Sequence, residues 1–148
     1  MNNPIDMTVR EKIRLAMQFQ RNGELEKAKK LYQDVLDADG NHPDALHLYG
    51  LVCRQQGDYR TAVSYLSRAV EEVPHHPVLR NNLGDALRMS GKRPAAAIQL
   101  EKAIELDGDH AGAHLNLGSV YYDSGNREGA LRHLIEATRL APERAEGW

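Results

Sequence analysis

Asn82 and Asn116 stand 34 residues apart in this sequence. An amide side chain offers one acceptor and two donors, so a ladder of amides can pair with both polar groups of an extended peptide backbone, whatever side chains that peptide carries. Arg14, Arg54 and Arg88 offer a second chemistry, because a guanidinium meets a carboxylate through two parallel hydrogen bonds. The histidines invite a metal reading: His110 and His114 are four apart, which can place two imidazoles on one helix face. His110, however, falls before the helix begins. His42, His76 and His110 recur one per repeat, roughly 10 Å apart as packed helices are, so no metal site is expected. The single cysteine, Cys53, can form neither an internal disulfide nor a paired-cysteine site, and its position predicts a small buried hydrophobe. There is no Ser/His/Asp set, paired-carboxylate site or phosphate-cradling glycine loop. Neither an enzyme activity nor a cofactor is expected.

The elements that position these residues follow from a fixed period. The stretch Asn81-Asn82-Leu83-Gly84-Asp85-Ala86-Leu87 returns 34 residues on as Leu115-Asn116-Leu117-Gly118-Ser119-Val120-Tyr121. It has earlier counterparts in His47-Leu48-Tyr49-Gly50-Leu51-Val52-Cys53 and Ile13-Arg14-Leu15-Ala16-Met17-Gln18-Phe19. A period of this length marks a repeat architecture. The register predicts units at 9–42, 43–76, 77–110 and 111–144, after a lead over 1–8. Gly23, Gly57, Gly91 and Gly125 share the mid-unit turn. Ala16, Gly50, Gly84 and Gly118 share one position, and Ala28, Ala62, Ala96 and Ala130 another. These small residues let paired helices approach closely, while Leu15, Tyr49, Leu83 and Leu117 with Tyr32, Leu66, Leu100 and Leu134 fill the seam. One hairpin cannot bury such a face alone, so the units are expected to stack.

Local signals agree. Thr8-Val9-Arg10-Glu11 reads as a capping box. Asn22-Gly23 stops the first helix, and a second runs from about Leu25 to Ala38. Pro43 and Pro77 suit first helical turns, as does Pro94, and Asp58 and Asn126 are good N-caps. Every element predicted is helical, so the fold class is all-α.

Hydrophobic residues make up 41% and charged residues 27% of the 148, a composition for a folded, soluble chain. A net charge of −2 lacks the basic excess of a nucleic-acid binder. No run approaches the ~18 apolar residues of a membrane span, and no secretory signal opens the chain. No nucleic-acid or membrane partner is expected, and a cytoplasmic location fits the lone cysteine.

The pattern resembles the tetratricopeptide repeat, a 34-residue helix–turn–helix unit, over residues 9–144. It departs from that family where Lys12, Leu46, Arg80 and His114 replace the large first-helix aromatic, and where Gly40 and Gly108 replace the closing proline. The resemblance implies a right-handed superhelical α-solenoid of four units whose first helices line a concave groove. That groove would hold Arg14, Met17, His47, Arg54, Asn81, Asn82, Asp85, Arg88, Asn116 and Tyr122. The amides at 82 and 116 look like the asparagine ladder of O-linked N-acetylglucosamine transferase, although Arg14 and Leu48 occupy that place in the first two units. A chaperone-tail carboxylate clamp would need Lys and Asn where Ile13 and Met17 stand, and is not expected. The implied function is a protein–protein interaction scaffold holding an extended peptide or partner protein. A substrate-recruiting arm of a larger, glycosyltransferase-like enzyme is the alternative. Residues 145–148 would begin a truncated fifth unit, with Trp148 at the family's tryptophan position. Without a polar capping helix, the C-terminal unit would expose Leu131, Leu134, Ile135 and Leu140 and allow end-to-end homo-association.

Overall fold

The computed structural model describes residues 7–142. Residues 1–6 of the expected lead over 1–8 and the start of a fifth unit at 145–148, including Trp148, lie outside them. Eight α-helices follow one another: α1 (Val9–Arg21), α2 (Leu25–Ala38), α3 (Pro43–Gln55), α4 (Tyr59–Glu72), α5 (Pro77–Met89), α6 (Arg93–Leu106), α7 (Ala111–Asp123) and α8 (Arg127–Leu140). No strand occurs among the described residues. The architecture is that of an all-α repeat solenoid built from helical hairpins. By its contacts the chain divides into two compact units, Met1–Val73 and Pro74–Trp148.

Each hairpin turns by the same device. Gly23, Gly57 and Gly91 have φ +79°, and Gly125 has +82°, a region where a Cβ would collide with the following carbonyl. The positive φ allows two bonds to close the helix end. In the first hairpin Gly23 N–H donates to Gln20 O (3.2 Å) and Glu24 N–H to Phe19 O (2.8 Å). The same pair recurs at Gly57/Asp58, Gly91/Lys92 and Gly125/Asn126. This is the Schellman closure, which satisfies carbonyls that would otherwise be left without partners.

The turns between hairpins differ from expectation in mechanism. At Gly40 and Gly108, where the family pattern places proline, an aspartate supplies the turn instead. Asp39 Oδ1 accepts from Asn41 N–H and Asp107 Oδ1 from Asp109 N–H, both at 3.1 Å. Side-chain oxygens of this kind mimic a backbone turn. The next helix is then capped by histidine: Nδ1 of His42, His76 and His110 accepts from the amides of Ala45, Leu79 and Ala113. Thr8, Asp58 and Asn126 cap α1, α4 and α8, as their sequence positions predicted.

In the N-terminal unit α2 packs on α3, with a lighter contact between α1 and α3. Ala16, Ala28, Leu31, Tyr32 and Val52 form a core against which Leu15, Phe19, Leu25, Leu48 and Tyr49 pack. In the C-terminal unit α6 packs on α7, with α5 touching α7; Leu79, Leu83, Leu100, Leu117 and Val120 are buried there. Burying one such leucine contributes about 1.5–3 kcal/mol. The small-residue positions are used as expected. A Cβ built on Gly84 would lie 2.5 Å from Leu100 Cγ, and one on Gly50 would lie 2.8 Å from Leu66 Cγ.

Candidate binding face on the first helices of the hairpins

In the C-terminal unit the first helices are α5 and α7, and their facing side chains are already joined. Asn116 Nδ2 donates to Asn81 Oδ1 at 2.9 Å. The sequence pattern pointed to Asn82 and Asn116 as equivalents, yet it is Asn81 that meets Asn116; Asn82 is half-buried and has a partner of its own. Further along, Arg88 Nη2 lies 3.2 Å from Asp85 Oδ1 and its Nη1 lies 4.0 Å from Asp123 Oδ2. Arg88 therefore meets carboxylates of its own chain, while its Nε is buried without a hydrogen-bond partner among the described residues. Beside these groups Tyr122 is 68% exposed and Met89 is open to solvent. Ser119 turns inward, donating to Leu115 O.

In the N-terminal unit the corresponding helices are α1 and α3. Gln20 Nε2 donates to Gln55 Oε1 at 2.8 Å, and Tyr32 O–H fixes the Gln20 amide by donating to its Oε1 at 2.9 Å. Burial holds the Tyr32 phenol protonated, with its pKa pushed up to about 12. Met17, Gln20, Arg21, Leu48 and Gln55 line a pocket of ≈ 240 Å³. Leu48, at the ladder position, packs against the core. Arg14 is exposed, whereas His47 and Arg54 are half-buried and each has a partner.

The three pairs Gln20–Gln55, Asn81–Asn116 and Arg88–Asp123 share one rule: residue n meets residue n+35. Residues 34 apart are equivalent, but those 35 apart touch across neighbouring first helices. The resulting face alternates paired polar groups with exposed apolar side chains.

The partner of His114 was not singled out from sequence. His114 is buried; its Nε2 lies 2.9 Å from Gly108 O and its Nδ1 lies 3.0 Å from His133 Nδ1. The carbonyl can only accept, so Nε2 of His114 carries a proton; with both rings neutral, His133 Nδ1–H donates to His114 Nδ1. Burial lowers the pKa of His133, and the neighbouring His114 and Arg132 lower it further, against Glu101 and Glu136. Tyr121 O–H donates to Glu101 Oε1 at 2.8 Å beside this pair. Cys53 is fully buried, and that burial raises its thiol pKa. Among the described residues no group of three or more His, Cys, Asp or Glu side chains is arranged to hold a metal, and no helix is long and apolar enough to cross a membrane.

Family comparison agrees with this geometry. A tetratricopeptide-repeat model matches residues 9–71 and 45–109, and a second matches residues 90–148. The chain belongs to the tetratricopeptide-repeat family. Among solved structures, the tetratricopeptide-repeat chain is similar to MamA MSR-1 C2, at 23% identity over 97% of this chain and 82% of that one, with a TM-score of 0.81. It is also similar to MamA 41-end from Desulfovibrio magneticus RS-1, at 20% identity over 93% and 77% of the two chains, with a TM-score of 0.84. At such identities the likeness establishes the fold. No curated protein sequence matches the chain. Tetratricopeptide repeats are typically non-catalytic scaffolds, and this chain is a tetratricopeptide-repeat scaffold.

Proposed function

We propose that this tetratricopeptide-repeat chain binds an extended segment of a partner protein along the first helices of its hairpins, without catalysing a reaction. The observation that carries the reading is the Asn81–Asn116 amide pair between the first helices α5 and α7. The bond consumes one donor of Asn116 and one lone pair of Asn81. The Asn116 carbonyl oxygen and the Asn81 amine remain to address a backbone N–H and C=O. An extended peptide presents those two groups in alternation, and asparagine is a poor choice for a helix interior unless its amide is used.

The test is selection of peptides from a random displayed library against the whole chain. The affinity of the selected peptides is then measured for the Asn81→Ala/Asn116→Ala variant. Loss of two backbone-directed hydrogen bonds is expected to weaken binding about tenfold, with the helical signal unchanged. Unaltered affinity in that variant overturns the reading.

A second reading concerns α8. Leu131 and Ile135 are each more than half exposed, and with Leu134 and Thr138 they line an open pocket of ≈ 330 Å³. The second helices α2 and α6 are covered by α3 and α7. A second copy seated on α8 would cover the corresponding face there, giving end-to-end association. Sedimentation over a concentration series, with Leu131→Glu/Ile135→Lys as the dissociated control, tests it; a monomer at all concentrations removes this reading.

A further inference from the structure

We infer that the α1 face of the N-terminal unit selects an acidic segment that carries an apolar side chain. This inference rests on the first helices being the binding face and adds the chemical class of partner. Arg10, Arg14, Met17 and Arg21 stand at i, i+4, i+7 and i+11 of α1. At about 100° per residue these four fall within a stripe roughly 60° wide. All four are exposed.

The arginines of this stripe form no ion pair among the described residues. Several other arginines are spent on the chain itself: Arg88 on Asp85, Arg132 on Glu128, Arg139 on Glu136, and Arg68 on the Gly40 carbonyl. Carboxylates just beyond α1 are engaged too. Glu24 holds Lys27 at 2.9 Å, and Glu26 accepts from Gln56 at 2.7 Å. Three cations are therefore displayed in a row, and no carboxylate among the described residues is ion-paired with them.

The stripe is not a bare polycation. Met17 and Leu48 line the pocket between α1 and α3, and the Gln20–Gln55 amides and Arg21 rim it. The spacing also suits an extended chain. Arg10 and Arg14 are separated by a helical rise of about 6 Å, close to the roughly 6.6 Å between alternate residues of a strand. Acids at alternate positions can meet both guanidiniums, and an apolar side chain further along then reaches the Met17 pocket before the last acid meets Arg21. A phosphate backbone would use the arginines but leave the pocket empty. With a net charge of −2 the chain lacks the general excess that nucleic-acid binding draws on.

The experiment is fluorescence polarisation on the full chain with a short labelled peptide, Glu-Ser-Glu-Ser-Leu-Ser-Glu, whose glutamates and leucine share one face when extended. Comparison probes are the same peptide with glutamine for glutamate, single-stranded oligoadenylate, and phosphatidylserine vesicles. Each exposed arginine–carboxylate pair contributes up to about fivefold in affinity. The Arg10→Gln/Arg14→Gln/Arg21→Gln variant is therefore expected to lose on the order of thirtyfold, and Arg93→Gln/Arg127→Gln, on exposed positions of the other unit, nothing. Met17→Ala is expected to weaken the leucine-bearing peptide but not its serine counterpart. Equal binding of the glutamine peptide, or unchanged binding by the triple variant, overturns the inference. Tighter binding of oligoadenylate or vesicles than of the acidic peptide overturns it as well, in favour of phosphate recognition. If library peptides bind but are neutral and indifferent to the three arginines, the acidic class fails while the binding face stands. If no peptide binds at all, both fail.

Discussion

Alanine at Gly84 and alanine at Gly118 are chemically the same change at the same repeat position, yet they should behave differently. A Cβ at Gly84 would sit 2.5 Å from Leu100 Cγ and 2.7 Å from its Cδ2. Carbon atoms prefer about 3.5–4.0 Å, so Leu100 must retreat by roughly 1 Å. It is fully buried and has nowhere to go. Overpacking of this kind costs about 1–3 kcal/mol, while alanine recovers about 1 kcal/mol of helix propensity. Gly84→Ala is therefore expected to destabilise by up to about 2 kcal/mol, or up to about 6 °C in Tm for a chain of this size. At Gly118 the contacts are looser, 2.9 and 3.0 Å to Leu134, and Leu134 borders an open pocket into which it can shift. Gly118→Ala should fall within about 0.5 kcal/mol of the parent, because propensity offsets what strain remains. Thermal and urea unfolding followed by circular dichroism decide between them. In a Leu100→Ala background the clash disappears, and Gly84→Ala should become stabilising by about 1 kcal/mol. Equal losses at the two glycines, or no change of sign in the Leu100→Ala background, would refute the packing argument.

Three further outcomes are expected. The folded state lowers the pKa of His133, so the unfolded chain takes up the proton first, and the stability this pair contributes is present above the ordinary histidine range and lost as pH falls through it. Urea midpoints at about pH 7.5 and about pH 5.5 should therefore diverge in the parent and less so in His133→Gln. His110→Ala removes the acceptor of the Ala113 amide at the start of α7 and should cost about 1 kcal/mol, read as a fall in Tm. Tyr32→Phe removes the hydroxyl that orients Gln20 and should cost about 1 kcal/mol by urea titration, while leaving the N-terminal helices formed.

The helices, their glycine turns and their close-packed seam were legible because each is written locally or by period. A positive-φ residue must be glycine, and a helix crossing too tight for a side chain must be glycine or alanine. What was not legible depended on which side chains meet. The period makes Asn82 and Asn116 equivalents, but contact across neighbouring helices is offset by one residue, so Asn116 meets Asn81. The same offset brings Asp123 to Arg88 and leaves that arginine less available than its groove position implied. The histidine before each hairpin stood out only as a recurrence. Its capping role needed the extended backbone of His42, His76 and His110 that turns Nδ1 toward the helix. The His114–His133 pair had no periodic signal at all, since no other repeat places histidine at either position.

The single thiol of Cys53 has a use that binding does not exhaust. It is sealed within the unit Met1–Val73, at zero exposure and with its acidity suppressed. A thiol-reactive dye can label it only while that unit is transiently open. The rate of labelling is thus a clock for local opening of one half of the protein, with no engineered probe and no signal from the other half. Run beside circular dichroism, which averages over the helices of the whole chain, it separates unfolding of the N-terminal hairpins from unfolding of the whole. It also tells whether an incoming ligand locks the half it touches.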